Sequence, residues 1–187
     1  MSQNNIVGVL SKHKVVPVVT INSINEVDGI IQKLQMADMH CIEVTLRTKV
    51  AFQAIQMIKT KYGDVIDVGI GTVVNEDQIQ KAIQIGVDFM VSPGINSNLA
   101  SAFEKSGIAF IPGVATPSEI IMAMQLGWNT LKFFPANLFG GIDALKTYGN
   151  VFPSVQFCPT GGVNEATANE FLSLKNVISV GGSWMMK

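Results

Sequence analysis

Cysteine is nearly absent: Cys41 and Cys158 are the only two in 187 residues. Each lies inside an apolar run and they are far apart in the chain, so neither a disulfide framework nor a zinc motif is written here, and a small buried hydrophobe is the ordinary role for such a thiol. Histidine is as scarce. His13 and His40 have no second histidine at ligand spacing, and no metal is expected. Charge is thin and unclustered, with 13 basic and 14 acidic residues giving a net charge of -1. Without a basic stripe there is no reason to expect a nucleic-acid partner. Long hydrophobic runs are also missing: the longest, around Val15 to Val19, is far below a membrane span, and Met1 to Leu10 is polar. A cytoplasmic protein with no membrane partner is the expectation.

What the chain does have is apolar material, 48% hydrophobic against 14% charged residues, enough for a large core in a single domain over 1–187. A unit of roughly twenty residues repeats, made of a β-branched run, a small-residue loop and a segment with helical periodicity. Eight strand-like runs follow: Val15 to Thr20, Cys41 to Leu46, Val65 to Gly69, Phe89 to Ser92, Ala109 to Pro112, Thr130 to Phe133, Val155 to Pro159 and Val177 to Gly181. Most are apolar on both faces, the mark of a parallel sheet covered by helices. Ser23 with Glu26, and Thr116 with Pro117 and Glu119, read as helix-starting capping boxes, while Gly86, Gly107 and Gly127 mark helix ends. The strand count, and the lack of a dinucleotide-type glycine turn after the first strand, predict an α/β fold of the parallel (β/α)8 TIM-barrel type rather than an open sheet. After the eighth strand come only Trp184, Met185, Met186 and Lys187, so the last outer helix is expected to be missing. Its groove is left to the N-terminal segment, a partner chain or an apolar patch.

In such barrels chemistry sits at the C-terminal ends of the strands, so polar groups there are the ones to find. Cys41, Glu43 and Thr45 share one face of the second strand, and Arg47 follows at its exit. Thr130 and Lys132 share a face of the sixth, ahead of Phe133, Phe134 and Pro135. A carboxylate and an ammonium inside strands cost several kcal/mol of desolvation each unless they meet partners. A purely structural Glu43–Lys132 ion pair, or a lysine snorkelling outward, is one reading. The other is chemical. An uncharged amine in apolar surroundings is a nucleophile, and the planar fork of Arg47 suits a substrate carboxylate. Small-residue loops complete the pattern: Gly69-Ile70-Gly71-Thr72, Ser92-Pro93-Gly94, Pro159-Thr160-Gly161-Gly162 and Gly181-Gly182-Ser183. The last two follow the final two strands, where this fold often holds phosphate on backbone N–H groups.

These strings resemble one family, the 2-dehydro-3-deoxy-6-phosphogluconate aldolases, also called 4-hydroxy-2-oxoglutarate aldolases. The likeness runs from about Val15 to Trp184 and is carried by Glu43-Val44-Thr45-Leu46-Arg47, Gly71-Thr72-Val73, Ser92-Pro93-Gly94, Lys132-Phe133-Phe134-Pro135-Ala136, Gly140-Gly141, Pro159-Thr160-Gly161-Gly162 and Gly182-Ser183-Trp184. The resemblance implies a class I aldolase that uses no cofactor. Lys132 would form the imine and Glu43 would move protons. Arg47, Thr72 and Thr160 would hold the pyruvyl carboxylate, Pro93 and Phe134 would shape an apolar wall, and Gly161, Gly162, Gly182 and Ser183 would take the phosphate. It also implies a homotrimer. Ile70 departs from the family's usual smaller residue and is expected to narrow the site or shift the turn.

Cleavage of a phosphorylated 2-keto-3-deoxy sugar acid to pyruvate and glyceraldehyde 3-phosphate is thus the leading expectation, with the galactonate analogue and 4-hydroxy-2-oxoglutarate as close alternatives. A sugar-phosphate isomerase or epimerase would use Glu43 as a base but leaves Lys132 without a role. A non-catalytic barrel that binds a phosphorylated ligand is the third possibility.

Overall fold

The computed structural model describes residues 2–186, the side chains of Ser2 and Asn4 excepted. Helix α1 (Ser2–Leu10) precedes β1 (Val15–Val19), and then come α2 (Val27–Met36), β2 (Cys41–Thr45), α3 (Ala51–Tyr62), β3 (Asp67–Gly71), α4 (Glu76–Ile85) and β4 (Phe89–Val91). The second half holds α5 (Ser97–Ser106), β5 (Ala109–Ile111), β6 (Gly113–Val114), α6 (Pro117–Gln125), β7 (Thr130–Phe133), α7 (Gly141–Val151), β8 (Gln156–Pro159), α8 (Glu165–Leu172) and β9 (Val180–Gly182).

All pairing is parallel, as expected, but the strands do not form the predicted eight-stranded (β/α)8 barrel. They make a six-stranded half-barrel, ordered β5-β4-β3-β2-β1-β9, and a separate three-stranded sheet, β6-β7-β8. The cause is visible in the run predicted as one strand from Ala109 to Pro112. β5 pairs with β4 as far as Ile111 opposite Val91, and then the chain changes partner at Pro112, so that Gly113 of β6 lies opposite Lys132 of β7. Proline has no N–H with which to continue a ladder. Its carbonyl is still used and accepts from the Lys132 amide at 2.8 Å. At the other seam no ladder joins β8 to β9, and the two segments meet only at isolated bridges, Phe157 with Val177 and Thr160 with Gly181. The strand predicted at Val177–Gly181 is accordingly shortened and shifted to Val180–Gly182, and the one predicted at Val65–Gly69 is displaced to Asp67–Gly71.

Strand alternation sorts the side chains into two layers. Outward residues such as Ile42, Val44, Ile70 and Phe110 pack under the helices. Inward residues, among them Val16, Cys41, Phe89, Ile111 and Cys158, form a second cluster with Ile6 and Leu10. Those last two come from the segment read as polar, which instead folds as α1 and closes the N-terminal end of the sheets. Gln3 fixes it there: its Nε2 donates to the Thr130 carbonyl at 3.0 Å, and its Oε1 accepts from the Asn129 amide at 2.8 Å. Because α1 packs under β5 and β7, it is not the element that fills a groove beside β9. Beyond β9 the chain makes a 3-10 turn, Trp184–Met186, whose Met186 carbonyl accepts from Lys33 of α2 at 3.0 Å.

The helix punctuation holds in part. Thr116 and Glu119 form the reciprocal box expected of them, and Gly86, Gly107 and Gly127 take φ of 73°, 70° and 77° at helix ends. Ser23 behaves differently. It accepts from the Asn25 amide and starts a 3-10 turn, Ile24–Glu26, while Glu26 reaches Asn22, so α2 begins only at Val27.

Two outcomes follow from this interior. Ile6→Ala should lower stability by about 2–5 kcal/mol in urea titration, since it removes most of a fully buried side chain; an unchanged midpoint would show α1 to be dispensable. Burial pushes the Cys41 and Cys158 thiols up to about 12, so both stay protonated at pH 8 and lack the reactive thiolate. The native protein should therefore be inert to a disulfide thiol reagent at that pH, with both cysteines reacting once urea unfolds it.

Candidate active site

On β7, Leu131 and Phe133 face the helices, so alternation turns Thr130 and Lys132 inward. On β2, Ile42 and Val44 do the same and leave Cys41, Glu43 and Thr45 inside. The consequence is a buried pair: Lys132 Nζ stands 3.4 Å from Glu43 Oε1, with the two residues 6% and 3% exposed. The ammonium also lies 5.1 Å from the centroid of the Phe134 ring, close enough for a cation–π contact. Room for the carboxylate comes from β3. A β-carbon on Gly71 would collide with Glu43 Oε1, so any side chain there would push the acid aside. Ile70 points the other way, into the helix-facing layer, and does not narrow the site as its position in the sequence suggests.

Above the pair opens a cleft of about 390 Å³. It is lined by seven of the residues singled out in the sequence, Arg47, Phe134, Thr160, Gly161, Gly162, Gly182 and Ser183. Arg47 is the one charged side chain among its described lining residues, which favours an anionic occupant. Gly161 and Gly162 sit at φ of 96° and 74°, left-handed conformations that an L side chain would strain. Thr160 belongs both to this cleft and to a small interior gap of about 10 Å³ shared with Glu43 and Lys132. Cleft and buried pair are therefore neighbours across one threonine.

Thr72 and Pro93 do not line the cleft. They stand on the adjoining strand exits. Thr72 follows Gly71 directly and takes φ of 64°, an uncommon value for a β-branched residue. The Pro93 carbonyl fills the space that a β-carbon on Gly113 would need, and Gly113 lies opposite Lys132. The sequence reading missed Thr20 and Met186 in the cleft wall. Thr20 had a signal, a polar residue closing an apolar run in phase with the inward Val16; Met186 had none. A wider groove of about 620 Å³ runs between α3 and α4, with Lys81 4.9 Å from the Phe52 ring centroid. It holds neither buried acid nor buried amine, so the smaller cleft is the candidate site. Among the described residues no group of three or more His, Cys, Asp or Glu is placed to hold a metal ion.

Comparison with known proteins agrees with this geometry. The family model for KDPG and KHG aldolases matches residues 6–187. A 2-dehydro-3-deoxy-phosphogluconate aldolase from Pseudoalteromonas atlantica is 41% identical over 177 residues, 95% of this chain and 82% of that one. The KDPG aldolase of Legionella pneumophila, solved with pyruvate captured at low pH as a covalent carbinolamine, superposes with a TM-score of 0.92 at 40% identity, covering 95% of this chain and 86% of the other. The Zymomonas mobilis 2-keto-3-deoxy-6-phosphogluconate aldolase with 3-phosphoglycerate gives 0.93 at 37% identity, covering 97% and 86%. With an inward lysine and acid beneath an arginine-lined cleft, and relatives this similar over nearly its whole length, the chain belongs to the KDPG and KHG aldolase family.

Proposed function

We propose that this chain is a class I aldolase that cleaves 2-dehydro-3-deoxy-6-phosphogluconate to pyruvate and glyceraldehyde 3-phosphate. The observation that carries the reading is the buried Lys132–Glu43 pair, 3.4 Å apart and neighbour to the cleft through Thr160. The carbinolamine in the Legionella relative supports the same chemistry.

Lys132 Nζ, as the free amine, adds to the C2 carbonyl, and loss of water leaves an iminium. That cation is the electron sink. Glu43 takes the proton from the C4 hydroxyl as the C3–C4 bond breaks and the aldehyde leaves. The enamine is then protonated at C3, and water releases pyruvate and restores the amine. Burial suits the step, because a proton transfer between Glu43 and the reacting atoms is then made without competition from bulk water. Arg47 and Thr160, with Thr72 arriving from β3, hold the carboxylate, and Pro93 and Phe134 wall the reacting end. The N–H groups of Gly161, Gly162 and Gly182 and the Ser183 hydroxyl take the phosphate. The reaction needs no cofactor or metal in this scheme. Assembly as a homotrimer and a cytoplasmic location belong to the same proposal; among the described residues, no helix is long and apolar enough to cross a membrane.

Borohydride reduction with pyruvate should add the mass of one pyruvic acid less one oxygen atom, mapped to Lys132. Lys132→Met should show neither adduct nor cleavage, whereas Glu43→Gln should keep some trapping and lose turnover by about 10²–10⁴-fold. No adduct on the folded protein would favour the isomerase or the non-catalytic reading. Gly71→Ala, which displaces Glu43 without touching its chemistry, should slow cleavage about a hundredfold while pyruvate trapping persists; full activity in that variant would show that the position of the acid does not matter.

A further inference from the structure

One hydroxyl in the cleft has no part in the proposed reaction. Val16 is inward on β1, and Val18 and Thr20 follow at the strand's period of two, so Thr20 projects into the cleft, where it is exposed. Its Oγ1 lies 2.8 Å from Oγ1 of Thr45, the residue two beyond Glu43 on the same inner face. Thr45 is fully buried, at 0% exposure. Among the described residues, Thr20 is the partner of its hydroxyl.

Two hydroxyls joined by one hydrogen bond have two protons, and only one lies in the bond. Were Thr20 the donor, the Thr45 proton would be shut in with no acceptor, the arrangement proteins avoid. With Thr45 donating, both are satisfied, and the Thr20 proton is turned away from Thr45 into the cleft. A buried threonine thus orients an exposed one as a donor toward whatever the cleft holds.

The place of that donor is set by the sheet. Strand β1 lies between β2, which carries Glu43, and β9, which leads into Ser183. Glu43 is opposite Val18 and Gly182 is opposite Pro17, so Thr20 is nearer the mouth than either, about 6–7 Å along the strand from the level of Glu43. A substrate joined to Lys132 at one end, with its phosphate at Gly182 and Ser183, runs past β1 between them. In a 2-keto-3-deoxy-6-phospho sugar acid the atoms on that stretch are C4 and C5. The C4 hydroxyl gives up its proton to Glu43, which leaves the one on C5.

We propose that Thr20, oriented by Thr45, is a specificity-determining residue that donates a hydrogen bond to the substrate's C5 hydroxyl, which becomes the C2 hydroxyl of the aldehyde product. This rests on the aldolase reading, and the test separates the two. In the direction of addition, pyruvate is offered glyceraldehyde 3-phosphate or 3-phosphooxypropanal, which lacks that hydroxyl. Thr20→Val should lower kcat/KM for the first about tenfold and leave the second unchanged, removing the wild-type preference. Thr20→Ser should restore it, and Thr45→Val, which frees the Thr20 proton to turn, should give an intermediate loss. Borohydride trapping by pyruvate alone, which involves no C5 atom, reports separately on the lysine and on folding. Failure of trapping in the wild type overturns the aldolase reading. Normal trapping with both aldehydes affected alike, or neither affected, overturns the role of Thr20.

Discussion

A carboxylate and an ammonium shut together inside the sheets are the constraint on which the rest of this structure depends. Withdrawing each from water costs several kcal/mol, a large share of the roughly 5–15 kcal/mol that holds a domain together. Well-packed apolar residues of the same size would serve stability at least as well. On the proposed function the pair is a reactive arrangement that the fold tolerates, and the surroundings show how. Two inward positions of β3 are glycine, one making way for Glu43 and the other for the ring of Phe89. The remaining inward groups around the pair include Cys41 and Cys158, whose thiols stay protonated through burial and bring no competing charge.

The division into two sheets bears on the same site. At one seam Pro112 ends the pairing with β4 and sets Gly113 against Lys132. At the other, Thr160 and Gly181 meet at an isolated bridge, and a β-carbon on Gly181 would collide with the Thr160 hydroxyl. The cleft opens above this second seam, lined by the loops that leave β8 and β9. A regular ladder there would leave less backbone free to face a ligand, so the interruption in the sheet and the place of the site are two aspects of one arrangement.

Much of this was legible in the residues. Parallel α/β class followed from runs apolar on both faces, and Lys132 and Glu43 stood out because charged side chains in such runs need a reason. The glycine loops pointed to the cleft, where seven of the expected residues meet. What escaped had physical causes. Pro112 sat at the edge of a strand-like run, and local pattern does not say that a chain will change partners there. Helix α1 was hidden because its first half, Ser2 to Asn5, is polar and the apolar stretch that buries it, Ile6 to Leu10, is short and interrupted by Gly8. Thr20 read as the end of a β-branched strand, and its tie to Thr45 depends on cross-strand register, which a single strand does not disclose. The direction of Ile70 was set by the phase of β3, and a two-residue shift in that strand's ends was needed to see it.

The most direct test of the central claim is a crystal structure of the protein reduced in the presence of pyruvate. The account predicts continuous density from Lys132 Nζ to the pyruvyl C2, with Glu43 still beside it and the carboxylate turned toward Arg47 and Thr160. Density on any other lysine, or an unmodified Lys132 still paired with Glu43 below a cleft that holds free pyruvate, would contradict it.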